Sequence, residues 1–323
     1  MNKILWYIMC LGLFTMIFVW GEIGGNKAIA QDQILVDCNT NDTITAALSQ
    51  AAPGTTILVS GLCNESLTIT KDEIIIDGQN QTTIDGQGAS ASVILIDGAR
   101  RVTIRNLTVQ NGVDGLRAQS GASVTLENVI ATNNSDDGIQ IVGNSTGQLS
   151  DCVAQNNGST GILVVRNANV SFFGTIRSQG NNEDGLLVSL SSSVFTANSM
   201  LSITENGRIG LFVANSSSMQ INGGVVDIIN NDDDGVTSQR TSSIELSGGS
   251  RLTSQGNSEF GILVAFTSTI VCFNNSTIIS SNNLVGNTSI EDVSILDCTL
   301  TETAVKSRDP IDVVGDQTDG SGS

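Results

Sequence analysis

The side chains best placed for chemistry are carboxylates that stand just ahead of a recurring glycine: Asp114, Asp136, Asp137, Glu183, Asp184, Asp233, Asp234 and Glu259, with Asp232 beside them. Two carboxylates at a set separation can carry out glycoside hydrolysis as acid and base. Asp136, Asp137, Asp233 and Asp234 are the candidates for that role. A hard cation such as Ca²⁺ takes several oxygen ligands, and Asp136, Asp137, Glu183, Asp184, Asp232 and Asp233 are the candidates for holding one. The third reading involves no reaction, because Asp before Gly is ordinary turn chemistry. Like charges one repeat apart repel, so one member of a close pair is expected to have a raised pKa.

Cationic side chains are few. Arg100, Arg101 and Arg105 lie close in sequence and Arg117 follows, a candidate patch for an acidic glycan. Its alternative is pairing across repeats, with Arg105 opposite Glu127. After residue 30 the lysines are Lys71 and Lys306 alone. The chain of 323 residues has no histidine, which excludes imidazole bases and nucleophiles and removes the commonest transition-metal ligand. A net charge of −18 argues against nucleic acid as a partner. No Trp or Tyr follows residue 30, so a flat aromatic platform for sugars is not expected.

The elements that must position these groups follow from a repeat. The glycine of an x-Gly-(Ile/Leu/Val) unit recurs at Gly115, Gly138, Gly161, Gly185, Gly210, Gly235 and Gly261, with Gly286 a weaker eighth. The residues that follow alternate apolar inward positions, as in short strands. Seven after the glycine stands a small residue, Ala or Ser. Four before it stands Asn111, Asn134, Asn157, Asn181, Asn206, Asn231, Asn257 or Asn282. Asparagine tolerates the left-handed backbone of a tight turn, and stacked amides can hydrogen-bond in a ladder. Short strands in units of about 24 residues, with no helix between them, predict an all-β parallel β-helix of about ten coils.

The flanks have their own signals. Lys3, the apolar run from Ile4 to Trp20 and the Ala28-Ile29-Ala30 pattern read as a signal peptide over 1–30, with a retained anchor as the alternative. No later segment is apolar enough to span a membrane. Asn41-Asp42-Thr43 starts a short amphipathic helix over 41–52 that caps the first coil, and Pro53-Gly54 ends it. The β-helix domain is expected over 31–300 and an acidic disordered tail over 301–323. An exported chain can form disulfides. Cys38 and Cys63 flank the cap and are expected to bridge. Cys272 and Cys298, about one repeat apart, are expected to stack as a bridge or as two buried thiols.

The segment Thr43-Ile44-Thr45-Ala46-Ala47-Leu48, then Pro53-Gly54-Thr55-Thr56-Ile57-Leu58-Val59 and Asn64-Glu65-Ser66-Leu67-Thr68-Ile69, resembles the entry to right-handed parallel β-helix proteins of the pectin-lyase-like superfamily. The Asn-x-x-x-Gly-Ile units are similar to its repeats over about 37–300. The resemblance implies a right-handed, single-stranded solenoid. It does not imply one activity, since that fold carries lyases, hydrolases, esterases, epimerases, adhesins and inert spikes. Asn134-Ser135-Asp136-Asp137-Gly138-Ile139 and Asn231-Asp232-Asp233-Asp234-Gly235-Val236 look like the Asp-bearing motifs of polygalacturonase-type glycosidases. Their Gly-His-Gly and Arg-Ile-Lys elements are missing here.

The sequence reading is a secreted, periplasmic or cell-surface β-helix. Its role is non-catalytic, binding or presenting to extracellular partners such as polysaccharide, with Ca²⁺ as an open question. The alternative is a polysaccharide hydrolase or lyase that uses the acidic ridge. Repeat steps that never exceed 26 residues leave little chain for cleft walls and favour the first reading.

Overall fold

A computed structural model describes residues 32–303. The signal peptide expected over 1–30 and the part of the tail beyond residue 303 lie outside the described residues. The described residues wind into a parallel β-solenoid of about 11 turns, with one short α-helix among them, in the N-terminal part. Each coil presents three faces. The first is a sheet of ten short strands, from Leu67–Ile69 to Gly286–Ile290. The second and third are halves of longer strands such as Ser123–Thr132 and Ser193–Thr204. Those strands bend at a single left-handed residue, Asn128 (φ 53°) or Asn198 (φ 49°).

Neighbouring coils are in parallel register, for example Ile162 against Leu186 and Leu186 against Leu211. Alternation therefore stacks apolar residues on apolar residues. Ile139, Val164, Val188, Leu211, Val236 and Ile262 form one inward wall of a continuous core. Phe172 is fully buried within it. Burial of such a side chain contributes about 1.5–3 kcal/mol, and each coil shares this gain with its neighbours.

Buried polar ladders hold the corners. Asn134, Asn157, Asn181, Asn206, Asn231 and Asn257 each donate from Nδ2 to the Oδ1 of the next, the last to Asn283, at 2.9–3.0 Å. The same Oδ1 atoms accept backbone N–H groups, so each amide satisfies two donors one coil below. Two expected members stand outside this file. Asn111 (φ 58°) and Asn282 (φ 57°) occupy the left-handed corner one residue earlier. Gly112 takes the ladder position in its coil and donates its N–H to Asn134 Oδ1 at 3.1 Å. Asn283 takes it at the far end, because Gly286 lies opposite Phe260 and not opposite Gly261. The small-residue column forms a second ladder, in which Ser192, Ser217, Ser242 and Ser268 accept backbone N–H groups from the preceding coil.

Repeat glycines are required by close approach. A Cβ at Gly210 would lie 2.7 Å from Asn231 Nδ2 and 2.8 Å from the Gly235 carbonyl oxygen.

The helix forms over Ile44–Gln50, inside the expected 41–52, and buries Ile44, Ala47 and Leu48 over the first coil. Thr43 caps it by accepting from Ala46 N at 3.2 Å. Glu65 accepts from Ile44 N at 2.7 Å and Thr45 N at 3.0 Å, where the helix dipole favours an anion. Lys71 Nζ donates to the carbonyls of Leu48, Ser49 and Ala51 at the other end. Disulfides join Cys38 to Cys63 and Cys272 to Cys298. The second bridge settles the open choice for that pair. Cys152 is free and buried, and burial pushes its thiol up to about 12. Strand pairing continues to Thr303, past the residue where the repeat fades.

Candidate functional site

The turn from the third face into the first carries the acidic ridge. Its ladder asparagine is buried, and two residue columns follow with opposite fates. The column two before the repeat glycine points outward. Asp136, Glu183 and Glu259 in it are exposed and Asp233 is half-buried. The column one before the glycine points inward, and Asp114, Asp137, Asp184 and Asp234 in it are buried. These inner carboxylates accept backbone N–H groups from the next coil. Asp137 Oδ1 accepts from Thr160 N at 3.0 Å, Asp184 from Ile209 N at 3.2 Å and Asp234 from Phe260 N at 2.9 Å.

Burial penalises the charged form, so all four pKa values rise. Asp137 and Asp184 are pushed up to about 6. Asp114 and Asp234 are raised for the same reason. Hydrogen bonds oppose the shift at Asp137 (from Gln140) and at Asp234 (from Thr237 and the Phe260 N–H). The nearby guanidinium of Arg208 opposes it at Asp184.

One group of these carboxylates converges. Oxygens of Asp114, Asp136 and Asp137 lie within 4.8 Å of one another. Gln140, on the strand Ile139–Val142, donates from Nε2 to Asp137 Oδ2 at 2.7 Å. Ser92 Oγ donates to Asp114 Oδ2 at 2.8 Å, and Arg117 Nη1 stands 3.7 Å from the same oxygen. Two buried oxygens of this group, Asp114 Oδ1 and Gln140 Oε1, have no hydrogen-bond partner within 3.5 Å, although the Asp137 N–H of the next coil still favours the charged form of Asp114. An all-oxygen donor set with two unsatisfied buried acceptors fits a hard divalent cation. Asp114, Asp136, Asp137 and Gln140 are the residues that would hold it.

The other expected ligands are not part of this group. Glu183 and Asp184 lie two coils away and flank Arg208, at 3.6 and 3.7 Å. Asp233 accepts from its neighbour Asp234 N at 2.9 Å, and Asp232 is exposed beside it. The pairs Asp136/Asp137 and Asp233/Asp234 are four coils apart, about 19 Å at a strand spacing of roughly 4.8 Å. Two carboxylates that flank one glycosidic bond sit at roughly 5–9.5 Å, so these pairs cannot act on the same bond.

The arginines do not form one patch. Arg101 pairs with Glu73 in the turn before the strand Val102–Gln110. Arg105, on the second face, pairs with Asp77 at 2.9 Å. Glu127 is its neighbour in register, but the ion pair expected between them goes to Asp77 instead. Burial alone would raise Asp77, but hydrogen bonds from Asn106, the Gln79 N–H and Arg105 together hold it below the usual carboxylate range. The Arg100 backbone N–H donates to Asp72 at 2.8 Å. Arg117 stands on the first face, away from the other three, with Nε bonded to Gln119 at 2.9 Å.

Gln140 was missed in the sequence because an amide offers no charge pattern. Its spacing three after Asp137, at the first outward position of the strand, is the signal that finds it. Asp114 was legible as part of the ridge. Only the register puts it beside Asp136 and Asp137.

With this geometry in view, the comparisons are informative about fold. Residues 92–245 match the model of the right handed beta helix region. No curated protein matches the sequence. Among solved structures, pectate lyase Pel9A is similar, with 16% identity, 85% of this chain and 78% of that chain covered, and a TM-score of 0.53. The A-module of the Azotobacter vinelandii mannuronan C-5 epimerase AlgE4 has 16% identity, 81% and 91% coverage and a TM-score of 0.52. A double mutant of the periplasmic alginate epimerase AlgG has 14% identity, 84% coverage of both chains and a TM-score of 0.56. The chain has the right-handed parallel β-helix fold that these solved structures share.

Proposed function

We propose that this protein is an exported, non-catalytic β-helix that binds acidic polysaccharide through a divalent cation held by Asp114, Asp136, Asp137 and Gln140. The observation that carries the reading is the pair of unsatisfied buried oxygens, Asp114 Oδ1 and Gln140 Oε1, beside two further carboxylates. An acidic protein and an acidic polymer repel, and a bound cation supplies the charge that joins them. A uronate carboxylate would complete the oxygen ligands of Ca²⁺. Two disulfides suit an oxidising compartment outside the cytoplasm. Among the described residues no helix is long and apolar enough to cross a membrane.

Engagement of Lys71 and of the cation beside the cluster supports the non-catalytic part. Proton abstraction beside a uronate by Lys or Arg needs that side chain deprotonated and free to reach the substrate. All three donors of Lys71 are spent on helix carbonyls. Arg117, the cation nearest the cluster, is engaged by Asp114 and Gln119. A second reading, polysaccharide cleavage by ridge carboxylates, has one observation in its favour: burial holds Asp137 at about 6, a value suited to a general acid.

Binding of polygalacturonate and alginate to the full chain, with Ca²⁺ and with a chelator, tests both readings. Calcium-dependent binding lost in Asp136→Asn, without new reducing ends or unsaturated uronate absorbance, is the expected result. Turnover that Asp137→Asn abolishes would replace the first reading with the second.

A further inference from the structure

A solenoid exposes its core at each end, and the two ends of this one differ. The helix Ile44–Gln50 covers the first coil. Among the described residues the last strands are Gly286–Ile290, Ile295–Asp297 and Thr299–Thr303. The apolar columns surface there. Val264 is fully buried, whereas Ile290, its neighbour in register, is 51% exposed. Leu296 and Leu300 lie over the buried Ile270 and Ile278 and are only partly covered. Leu284, Val285, Val293 and Ile295 of the same coil are exposed as well. The Cys272–Cys298 bridge ties this coil to the one before, so the apolar end is held in place. Such an end calls for a cover.

The sequence beyond residue 303 carries the pattern of one more strand of the first face. Asp309-Pro310-Ile311-Asp312-Val313 follows the unit Asp137-Gly138-Ile139-Gln140-Ile141 and the unit Asp184-Gly185-Leu186-Leu187-Val188, with proline in place of glycine. Ile311 and Val313 stand 23 residues after Thr288 and Ile290, the same step that separates Gly115 from Gly138 and Gly138 from Gly161. The proline is informative. Gly138, Gly161, Gly185 and Gly210 each donate their N–H to a carbonyl of the following coil. Proline has no N–H to offer, so it fits a coil that closes the stack. Charge points to the same segment. Glu291, Asp292 and Asp297 are exposed on the last coil, and Lys306 and Arg308 are the only cations in the sequence after Arg251. A second copy of this acidic end would instead meet like charge.

We propose that the occupant of this end is the chain's own segment 304–314. Ile311 and Val313 face inward over Thr288 and Ile290 as the next parallel strand, and Asp312 and Val314 face outward. Lys306 and Arg308 offset the acidic residues of the last coil. This cover buries the apolar columns and occupies the strand on which a second solenoid could otherwise pair.

Cysteine pairs in the full chain test the register. Ile290→Cys with Val313→Cys should reproduce the relation of Cys272 to Cys298, which bridge adjacent coils across a separation of 26 residues. This pair should close within one chain on mild oxidation. Ile290→Cys with Asp312→Cys points the second thiol to the opposite side, where a bridge cannot form without backbone movement, and its yield should be about fivefold lower or less. In a separate variant, Ile311→Asp with Val313→Asp should raise the binding of an apolar fluorescent dye severalfold, because the end of the core is uncovered. Equal yields from the two cysteine pairs, a bridge that joins two chains, or unchanged dye binding would each overturn the proposal.

Discussion

Gln140 donates from Nε2 to Asp137 Oδ2 at 2.7 Å, and the other end of the same amide, Oε1, is buried without a partner. The bond fixes the amide with Nε2 on Asp137 and leaves Oε1 buried without a partner. A buried acceptor left in this state costs about 1–3 kcal/mol, and a bound cation would recover that cost.

Calcium should therefore stabilise the fold. At a hundredfold excess over its dissociation constant the gain is about 2.7 kcal/mol. Thermal melts of the full chain with Ca²⁺ and with chelator should differ by several degrees. Asp136→Asn should remove most of that difference, and an equal calcium response in the variant would exclude the cluster as the site.

The pH dependence follows from Asp184, which burial holds at about 6 in the folded chain against 3.8 for the free side chain. A raised carboxylate favours the folded state most below the unfolded value. That contribution is lost as pH rises from about 4 through about 6. A shift of about two units corresponds to about 3 kcal/mol. Denaturation at pH 4.5 and pH 7.5 should show the fall, and Asp184→Asn should remove the share due to Asp184, leaving that of Asp137, while keeping an acceptor for the Ile209 N–H. A variant with the wild-type slope would contradict the assignment.

The asparagine ladder should be a main support of the solenoid. Asn206→Ala removes the acceptor of the Asn181 N–H and of the Asn181 amide, at 3.2 and 2.9 Å, and also the donor to Asn231. Leaving those groups unpaired should cost about 2–4 kcal/mol. Asn182→Ala, at an exposed neighbour, should cost under about 0.5 kcal/mol. Urea denaturation midpoints compare the two, and similar losses would remove the ladder's special role.

Cys152 should be inert in the native protein, since burial pushes its thiol up to about 12 and no solvent reaches it. A thiol reagent should label it only after unfolding. Rapid labelling under native conditions would mean that the coil around it opens.

Most of the architecture was legible because the repeat is chemically redundant. Asn134 to Asn257 mark their coils one by one, and the glycines that follow them leave no room for a Cβ. The misplaced members are Asn111 and Asn282. Counting back from the nearest glycine assumes a constant turn length, but the turn at each end differs by one residue. Corner asparagines and ladder asparagines look alike in sequence, since either fits a left-handed turn. The site was less legible. A row of acidic residues before glycines does not reveal that one column points inward and its neighbour outward, because adjacent residues differ by the direction of a single turn.

The sequence by itself determined the coil length, the inward apolar columns, the capping helix and the Cys38–Cys63 bridge, while the state of Cys272 and Cys298 stayed open until the coils were stacked. Each of these rests on local pattern repeated at a fixed period. Only the tertiary structure decided which carboxylates are neighbours. The stacking register brings Asp114 beside Asp136 and Asp137 and spends Arg105 on Asp77. Proximity between coils depends on how turns of unequal length close, and that is settled only when the coils are stacked.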